Sequence, residues 1–223
     1  MPAQAAFMSS HYVEVLPYLL RGLGWTLGIT LAGLAIGFWL GAAAGLARTS
    51  GSRAVRAPAT VYVEVIRGTP MLAQILFIYF GLSDLLGLNI DNVTAAIIAV
   101  AINAGAYIAE IVRGAVESIG SDQRDAGRAL GFSRVQIMRR IIWPQAFRRM
   151  IPPLGNQFVI SLKDTSLFSV IAVGEIIYQA RQYYSATFSA FEALAMACVI
   201  YLMITIPASV FLRRLERRPD YGA

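Results

Sequence analysis

The stretch DAGRALGFSRVQIMRRIIWP, residues 125–144, decides the reading of this chain. It is the longest charged interruption in an otherwise apolar sequence. A short polar helix ends at Gly131. A second begins behind Ser133 as N-cap, with Gln136 three residues later, the spacing of a capping box. Beyond that cap Val135, Met138, Ile141 and Ile142 are expected on one face, and Arg134, Arg139 and Arg140 on the others. Pro144 then closes or kinks the helix. A bent pair of this kind, set between apolar runs, is the form of a docking element and not of a passive linker.

Around this stretch the composition is that of a protein built in lipid. Of 223 residues 57% are hydrophobic and only 14% charged, where a soluble domain carries about 25% charged residues. The net charge of +6 does not point to nucleic acid, because the charges sit in short loops between apolar runs. Cys198 is the only cysteine, so no intramolecular disulfide is possible. His11 is the only histidine, and without a carboxylate cluster beside it no metal site is expected. The opening residues lack a positive n-region and contain Glu14, so they do not read as a cleaved signal peptide.

A membrane span needs about 20 apolar residues. The chain offers five candidates, over residues 19–47, 57–81, 92–113, 151–177 and 191–212, in a single transmembrane domain covering 1–223. In the first, Gly33, Gly37, Gly41 and Gly45 recur every fourth residue and mark a face for close helix approach. The long polar loop is 114–149, and a second loop is expected over 178–190. Arginines gather in the loop after the first span, in 114–149 and in the tail with Arg213, Arg214, Arg217 and Arg218. The positive-inside rule then places the N-terminus outside and the C-terminus in the cytoplasm. The expected class is all-α, a polytopic membrane protein of five spans.

The spacing Asp125-Ala126-Gly127, then Gly131, Ile141 and Trp143-Pro144, resembles the cytoplasmic "EAA" loop of the membrane subunits of ATP-binding-cassette importers. That pattern runs Glu-Ala-Ala, three residues, Gly, nine residues, Ile, one residue, Leu-Pro. This chain departs from it at Asp125, Gly127 and Trp143. The flanks VEVIRGTPMLAQILFIYFGL (63–82), INAGAYIAEIVRGAV (102–116) and RRMIPPLGNQFVISLKDTSLFSVI (148–171) resemble the polar amino acid permeases of that family, glutamine permeases among them. The resemblance implies the type I importer permease fold in a bacterial inner membrane. It also implies cytoplasmic ATPase subunits that grip Asp125, Ala126, Gly127, Gly131, Ile141 and Pro144. An extracytoplasmic amino acid-binding protein and a second permease subunit, identical or paralogous, complete the assembly. ATP is then used by the partner, and this chain carries no cofactor.

Charged residues inside apolar spans cost about 2.5–3.5 kcal/mol each on insertion scales, so they mark function or pairing. Glu64 and Arg67 are three apart, so they share one helix face and can pair. Gly68 and Pro70 break the helix after them, and Arg67 with Thr69 is a candidate receptor for an α-carboxylate. An internal Glu64–Arg67 pair that only steadies the kink is the alternative. Lys163, Asp164, Thr165 and Ser166 form a second polar cluster, in which Asp164 suits an α-ammonium or an ion pair between subunits. Asn103, Tyr107 and Glu110 make a polar stripe on the third span, with Glu110 and Arg113 able to pair. There is no GxxxxGK[ST] phosphate loop and no nucleophile–base arrangement, so neither ATP hydrolysis nor other catalysis is expected of this chain. Two further readings stand beside the importer: an ion-coupled secondary transporter, in which Glu64, Glu110 or Asp164 would titrate, and a membrane scaffold that transports nothing.

Overall fold

The computed structural model describes residues 2–216, with side chains for 11–214; Arg217 and Arg218 of the basic tail lie outside the described residues. Among the described residues there are helices and no strands. α1 is Pro2–Arg48, α2 Arg53–Arg67, α3 Met71–Leu76, α4 Ser83–Leu86 and α5 Asn92–Glu117. α6 is Ser121–Ala129, α7 Arg134–Ile137, α8 Trp143–Asp164, α9 Ile176–Thr187 and α10 Ala190–Glu216. A π-helical turn, Phe77–Leu82, joins α3 to α4, and another, Met138–Ile142, joins α7 to α8.

α1 is the mast on which the rest leans. Its second half packs along α5, where small residues let the backbones meet. A Cβ at Gly33 would lie 2.5 Å from the Val100 Cβ, one at Gly37 2.9 Å from the Ala101 oxygen, and one at Gly41 2.6 Å from the Gly105 oxygen. Gly45 is as tight, 2.6 Å from the Ala109 oxygen. Where lipid removes the hydrophobic drive between helices, such contact supplies the attraction as dispersion. α5 answers with Ala95, Ala96, Ala99, Ala104 and Ala109, all buried. Its start is fixed by Asp91, whose carboxylate accepts from the backbone N–H groups of Val93 and Thr94 at 3.1 and 3.0 Å. The Thr94 side chain, followed by those backbone donors, holds the Asp91 carboxyl below its usual range. The first half of α1 carries a second core, with Val15 and Leu19 against Ile176 and Ala180 of α9 and Ala193 and Ala197 of α10.

Among the described residues three helices are long and apolar enough to cross a membrane: His11–Arg48, Asn92–Glu117 and Ala190–Arg214. A fourth candidate is the pair Arg53–Arg67 and Met71–Leu86, bent by 105°. The run 151–177, expected as one span, is not one helix. α8 stops at Asp164, a 3-10 segment covers Thr165–Ile171, and Ala172 turns left-handed at φ 58°. The expected loop at 178–190 is also corrected, because α9 is helical to Thr187. The cause lies at Glu175, whose carboxylate accepts from the backbone N–H groups of Ile177 at 2.7 Å and Tyr178 at 2.6 Å. It is the N-cap of a new helix, set against α1 where Gly22 leaves room for the backbone of Glu175 and Ile176.

The 114–149 region keeps its capping box: the Ser133 N–H donates to Gln136 Oε1 at 2.8 Å, and the Gln136 N–H to Ser133 Oγ at 3.4 Å. Its buried face keeps Met138, Ile141 and Ile142 of the expected residues and takes Ile137 in place of Val135. Ile137 and Ile142 are buried, Met138 and Ile141 partly so, and Val135 is 75% exposed. Pro144 does not close the helix; it sits in the first turn of α8, where its missing N–H is tolerated.

Candidate functional site

The candidate site begins where α2 ends. Pro70 has no N–H to give the Ile66 carbonyl four residues back, so that oxygen is orphaned in an apolar setting. The Gln74 side chain repairs it. Its Nε2 donates to the Ile66 oxygen at 2.7 Å, to the Thr69 oxygen at 3.1 Å and to Thr69 Oγ1 at 2.9 Å. Thr69 Oγ1 in turn donates to the Val65 oxygen at 3.0 Å. Asn103 Nδ2, from α5, donates to Gln74 Oε1 at 2.9 Å. The break is thus held by two buried amides and a hydroxyl, and α5 is tied to it. Tyr62 adds a second tie, its hydroxyl donating to the Ile102 oxygen at 2.7 Å.

Charges collect beside this break. Glu64 and Arg67 do not pair with each other, which corrects the expectation from their spacing. Glu64 meets Arg48 at 3.5 Å, and Arg67 meets Glu110 at 3.7 Å. Arg48 also reaches Glu110, at 2.5 Å. Arg113 binds both Glu110 and Glu117, so the expected Glu110–Arg113 pair forms within a larger network. The Arg67 guanidinium lies 5.4 Å from the centre of the Tyr107 ring, within cation–π range. Helix geometry explains the partner exchange: α2 leans on α5, and carboxylates across that seam are nearer than one on the same helix.

Of the residues singled out from sequence, Arg67, Thr69, Asn103 and Tyr107 therefore cluster at one break, with Glu64 joined through Arg48 and Glu110. Arg67 and Tyr107 have side-chain surface to offer, and Thr69 spends its donor on the chain itself. Asp164, Thr165 and Ser166 lie at the other break, between α8 and α9. Asp164 and Ser166 are half-buried and make no hydrogen bond or ion pair among the described residues, and Lys163 is exposed. Thr165 is buried, its hydroxyl donating to the Leu162 oxygen at 2.7 Å. Phe168 and Ile171 of the 3-10 segment share one core with Ile75 and Ile78 beyond the first break. No hydrogen bond or ion pair joins the two polar clusters among the described residues.

Two residues escape the sequence reading. Gln74 is a lone amide in an apolar run, four residues after Pro70, and that offset is the available signal. Glu175 is fully buried and also takes a bond from the Tyr201 hydroxyl at 3.4 Å; its signal is Gly174-Glu175 interrupting an apolar stretch.

The 125–144 residues form a second site. Gly131 adopts φ 78°, and the Phe132 N–H returns to the Gly127 oxygen at 3.0 Å, a left-handed helix end that favours glycine. Gly127 is buried beneath α7: a Cβ there would meet Ile137 at 2.8 Å and Ile141 at 3.0 Å. This explains physically why glycine stands at that place in this chain. Asp125 and Ala126 are exposed, and Asp125 accepts from Arg128 at 3.2 Å. Leu130 and Val135 are 73% and 75% exposed. Arg149 donates to the Ser118 oxygen at 2.9 Å and to its hydroxyl at 3.0 Å, pinning the end of this region to the end of α5.

The chain is similar to known proteins. Residues 33–221 match the family described as "Binding-protein-dependent transport system inner membrane component". The glutamine transport system permease protein of Escherichia coli (strain K12) is 50% identical over 204 residues, covering 91% of this chain and 93% of that protein. The arginine transport system permease protein of Bacillus subtilis (strain 168) is 34% identical over 206 residues, covering 92% and 94%. A chain in the crystal structure of an amino acid ABC transporter with histidines superposes with a TM-score of 0.88 at 37% identity, over 93% of this chain and 96% of that one.

Proposed function

The chain belongs to the family of binding-protein-dependent transport system inner membrane components, and we propose that it carries glutamine, or a closely related polar amino acid, through the cytoplasmic membrane of a bacterium. It is the permease subunit of an ATP-driven amino acid importer, with the type I permease fold, and a translocation subunit rather than an ATPase. The observation that carries the substrate reading is the 50% identity, spread over nine-tenths of both chains, to a glutamine permease.

The partners follow from the family: ATP-binding-cassette ATPase subunits and a substrate-binding protein. In this reading the ATPase hydrolyses the ATP and this chain holds no cofactor. The ATPase grips the exposed bend around Gly131, with Asp125 and Ala126 on its rim, Gly127 and Ile141 setting the helix packing, and Pro144 at the start of α8. Leu130 and Val135, too exposed for a finished surface, fill its groove as a helix-in-groove contact. A second permease subunit, a copy or a paralogue, closes the path. The N-terminus lies outside and the C-terminus in the cytoplasm.

At the first break Arg67 receives the α-carboxylate and Tyr107 walls the site. Thr69, Gln74 and Asn103 hold the broken backbone in place. Glu64 and Glu110 balance the arginines while the path is empty. Asp164, with Thr165 and Ser166 around it, meets the α-ammonium from the second break. Closure of the ATPases tilts the coupling loop, residues 114–149, and the Arg149–Ser118 tie passes that motion to α5 and so to Asn103 and Tyr107.

The test is uptake of labelled glutamine into liposomes holding the complete transporter, with ATP inside and the binding protein outside. ATP-dependent uptake, competed by unlabelled glutamine more strongly than by arginine or cystine, is expected. Uptake that ignores ATP and tracks an ion gradient would sink the reading.

A further inference from the structure

A cleft of about 520 Å³ opens between the end of α1, the start of α2 and the coupling loop. Arg48, Arg56, Arg124, Arg128 and Arg134 line it, with Glu117 as the one carboxylate among its lining residues. Part of this charge is already matched. Arg48 is held by Glu110 and Glu64, and Arg128 by Asp125. Glu117 is taken by Arg113 from outside the cleft. Arg124 donates to the neutral Val116 oxygen at 3.1 Å. The guanidinium groups of Arg56 and Arg134 make no hydrogen bond or ion pair among the described residues.

Three cations from three separate elements, α2, α6 and α7, therefore face one recess without a countercharge. Like charges held in a half-enclosed space repel, and an anion with several acceptor oxygens relieves all three at once. A phosphate group carries several such oxygens and can accept from more than one guanidinium group. The position narrows the source. Arg48 is the last residue of a helix apolar enough to span the membrane, which sets the cleft at the end of a spanning helix. Its back wall is apolar, made by Ile137, Met138 and Ile142, which suits the glycerol end of a lipid better than a free ion. We infer that this cleft binds the phosphate of an anionic phospholipid headgroup and so couples the coupling loop to the membrane surface. Basic pockets at the cytoplasmic ends of spanning helices hold such headgroups. The inference rests on the chain being embedded in the membrane, and not on which amino acid it carries.

The experiment uses the complete transporter, purified and placed in nanodiscs of zwitterionic phospholipid doped with phosphatidylglycerol. Native mass spectrometry reads the phosphatidylglycerol retained, and equilibrium binding of radiolabelled inorganic phosphate is read in parallel. Retention should fall on the order of tenfold or more in the Arg56→Gln/Arg134→Gln double variant, given the strength of single basic contacts at a membrane surface. The Arg56→Lys/Arg134→Lys variant should restore part of it, because charge survives while the planar fork is lost. Where the double variant fails to assemble, Arg56→Gln alone, on an exposed position of α2, gives the same readout at smaller amplitude. Equal retention by wild type and the Gln variants would overturn the inference. Binding of inorganic phosphate without lipid retention would overturn the lipid source. Binding of neither probe would overturn it altogether and leave acidic side chains of the ATPase as what fills the cleft.

Discussion

The α1–α5 seam and the α2–α3 break lie on two faces of the same helix, α5, and solve opposite problems. Along the glycine row of the seam, short of the Arg48–Glu110 pair at its end, the contact works by removing side chains until backbones touch. At the break the backbone has lost its own partners, and the contact works by adding side chains, Gln74, Asn103 and Thr69, that replace them. One face of α5 is therefore rigid and silent. The other is polar, charged nearby and able to meet a solute. A bundle that moves substrate needs both, since a site can rearrange only against something that does not.

The largest expected effect lies on the silent face. Gly41→Leu drives a side chain into the Gly105 backbone and Ile108, whereas Gly28→Leu on the same helix meets nothing within 4 Å. Overpacking costs about 1–3 kcal/mol and at times more, so Gly41→Leu should abolish recovery of monodisperse protein and Gly28→Leu should not. Equal yields of the two variants on size-exclusion chromatography would break the account of the seam.

Next comes the break. Gln74→Leu strands the Ile66 and Thr69 oxygens and the Asn103 amide, and a buried polar group left unmade costs about 1–3 kcal/mol. Thermal unfolding in detergent should move clearly downward, and Asn103→Leu should move it less, since the carbonyls keep Gln74. If Gln74→Leu unfolds with wild type, the break is not held by that amide.

Smaller effects are expected in the coupling loop. Gly127→Val crowds Ile137 and Ile141 and should reduce co-purification of the ATPase subunit while the membrane helices keep their unfolding temperature. Gly131→Ala meets no neighbouring atom and costs only its left-handed backbone, about 1–2 kcal/mol, so its loss of ATPase recovery should be the mildest. A reversed order would show that the bend matters more than the packing beneath it.

These elements are unequally legible in the sequence. The glycine seam and the capping box at Ser133 obey local rules, a period of four and an offset of three, and both are present in the structure. Pro70 announces the first break for the same reason. The ion pairs between helices escape such rules, because spacing along one helix reveals only neighbours three or four residues away, as with Glu110 and Arg113, while Arg48 and Glu110 are 62 residues apart in the chain. The second break is hidden because SLFSVIAVGEII is apolar enough to pass for one span. Only Glu175, capping α9 with its own carboxylate, divides it. Val135 is exposed because the first turn after the Ser133 cap directs Ile137, two residues on, into the core in its place.

The most direct test is the transport KM of Arg67→Ala in the reconstituted importer, measured with its unfolding temperature. If the polar face of α5 and the α2–α3 break hold the substrate, KM for glutamine rises about tenfold, the loss of roughly 1.4 kcal/mol of binding, while the unfolding temperature stays close to wild type. An unchanged KM in a stable, ATP-driven Arg67→Ala transporter would contradict the account and leave the break as a structural kink alone.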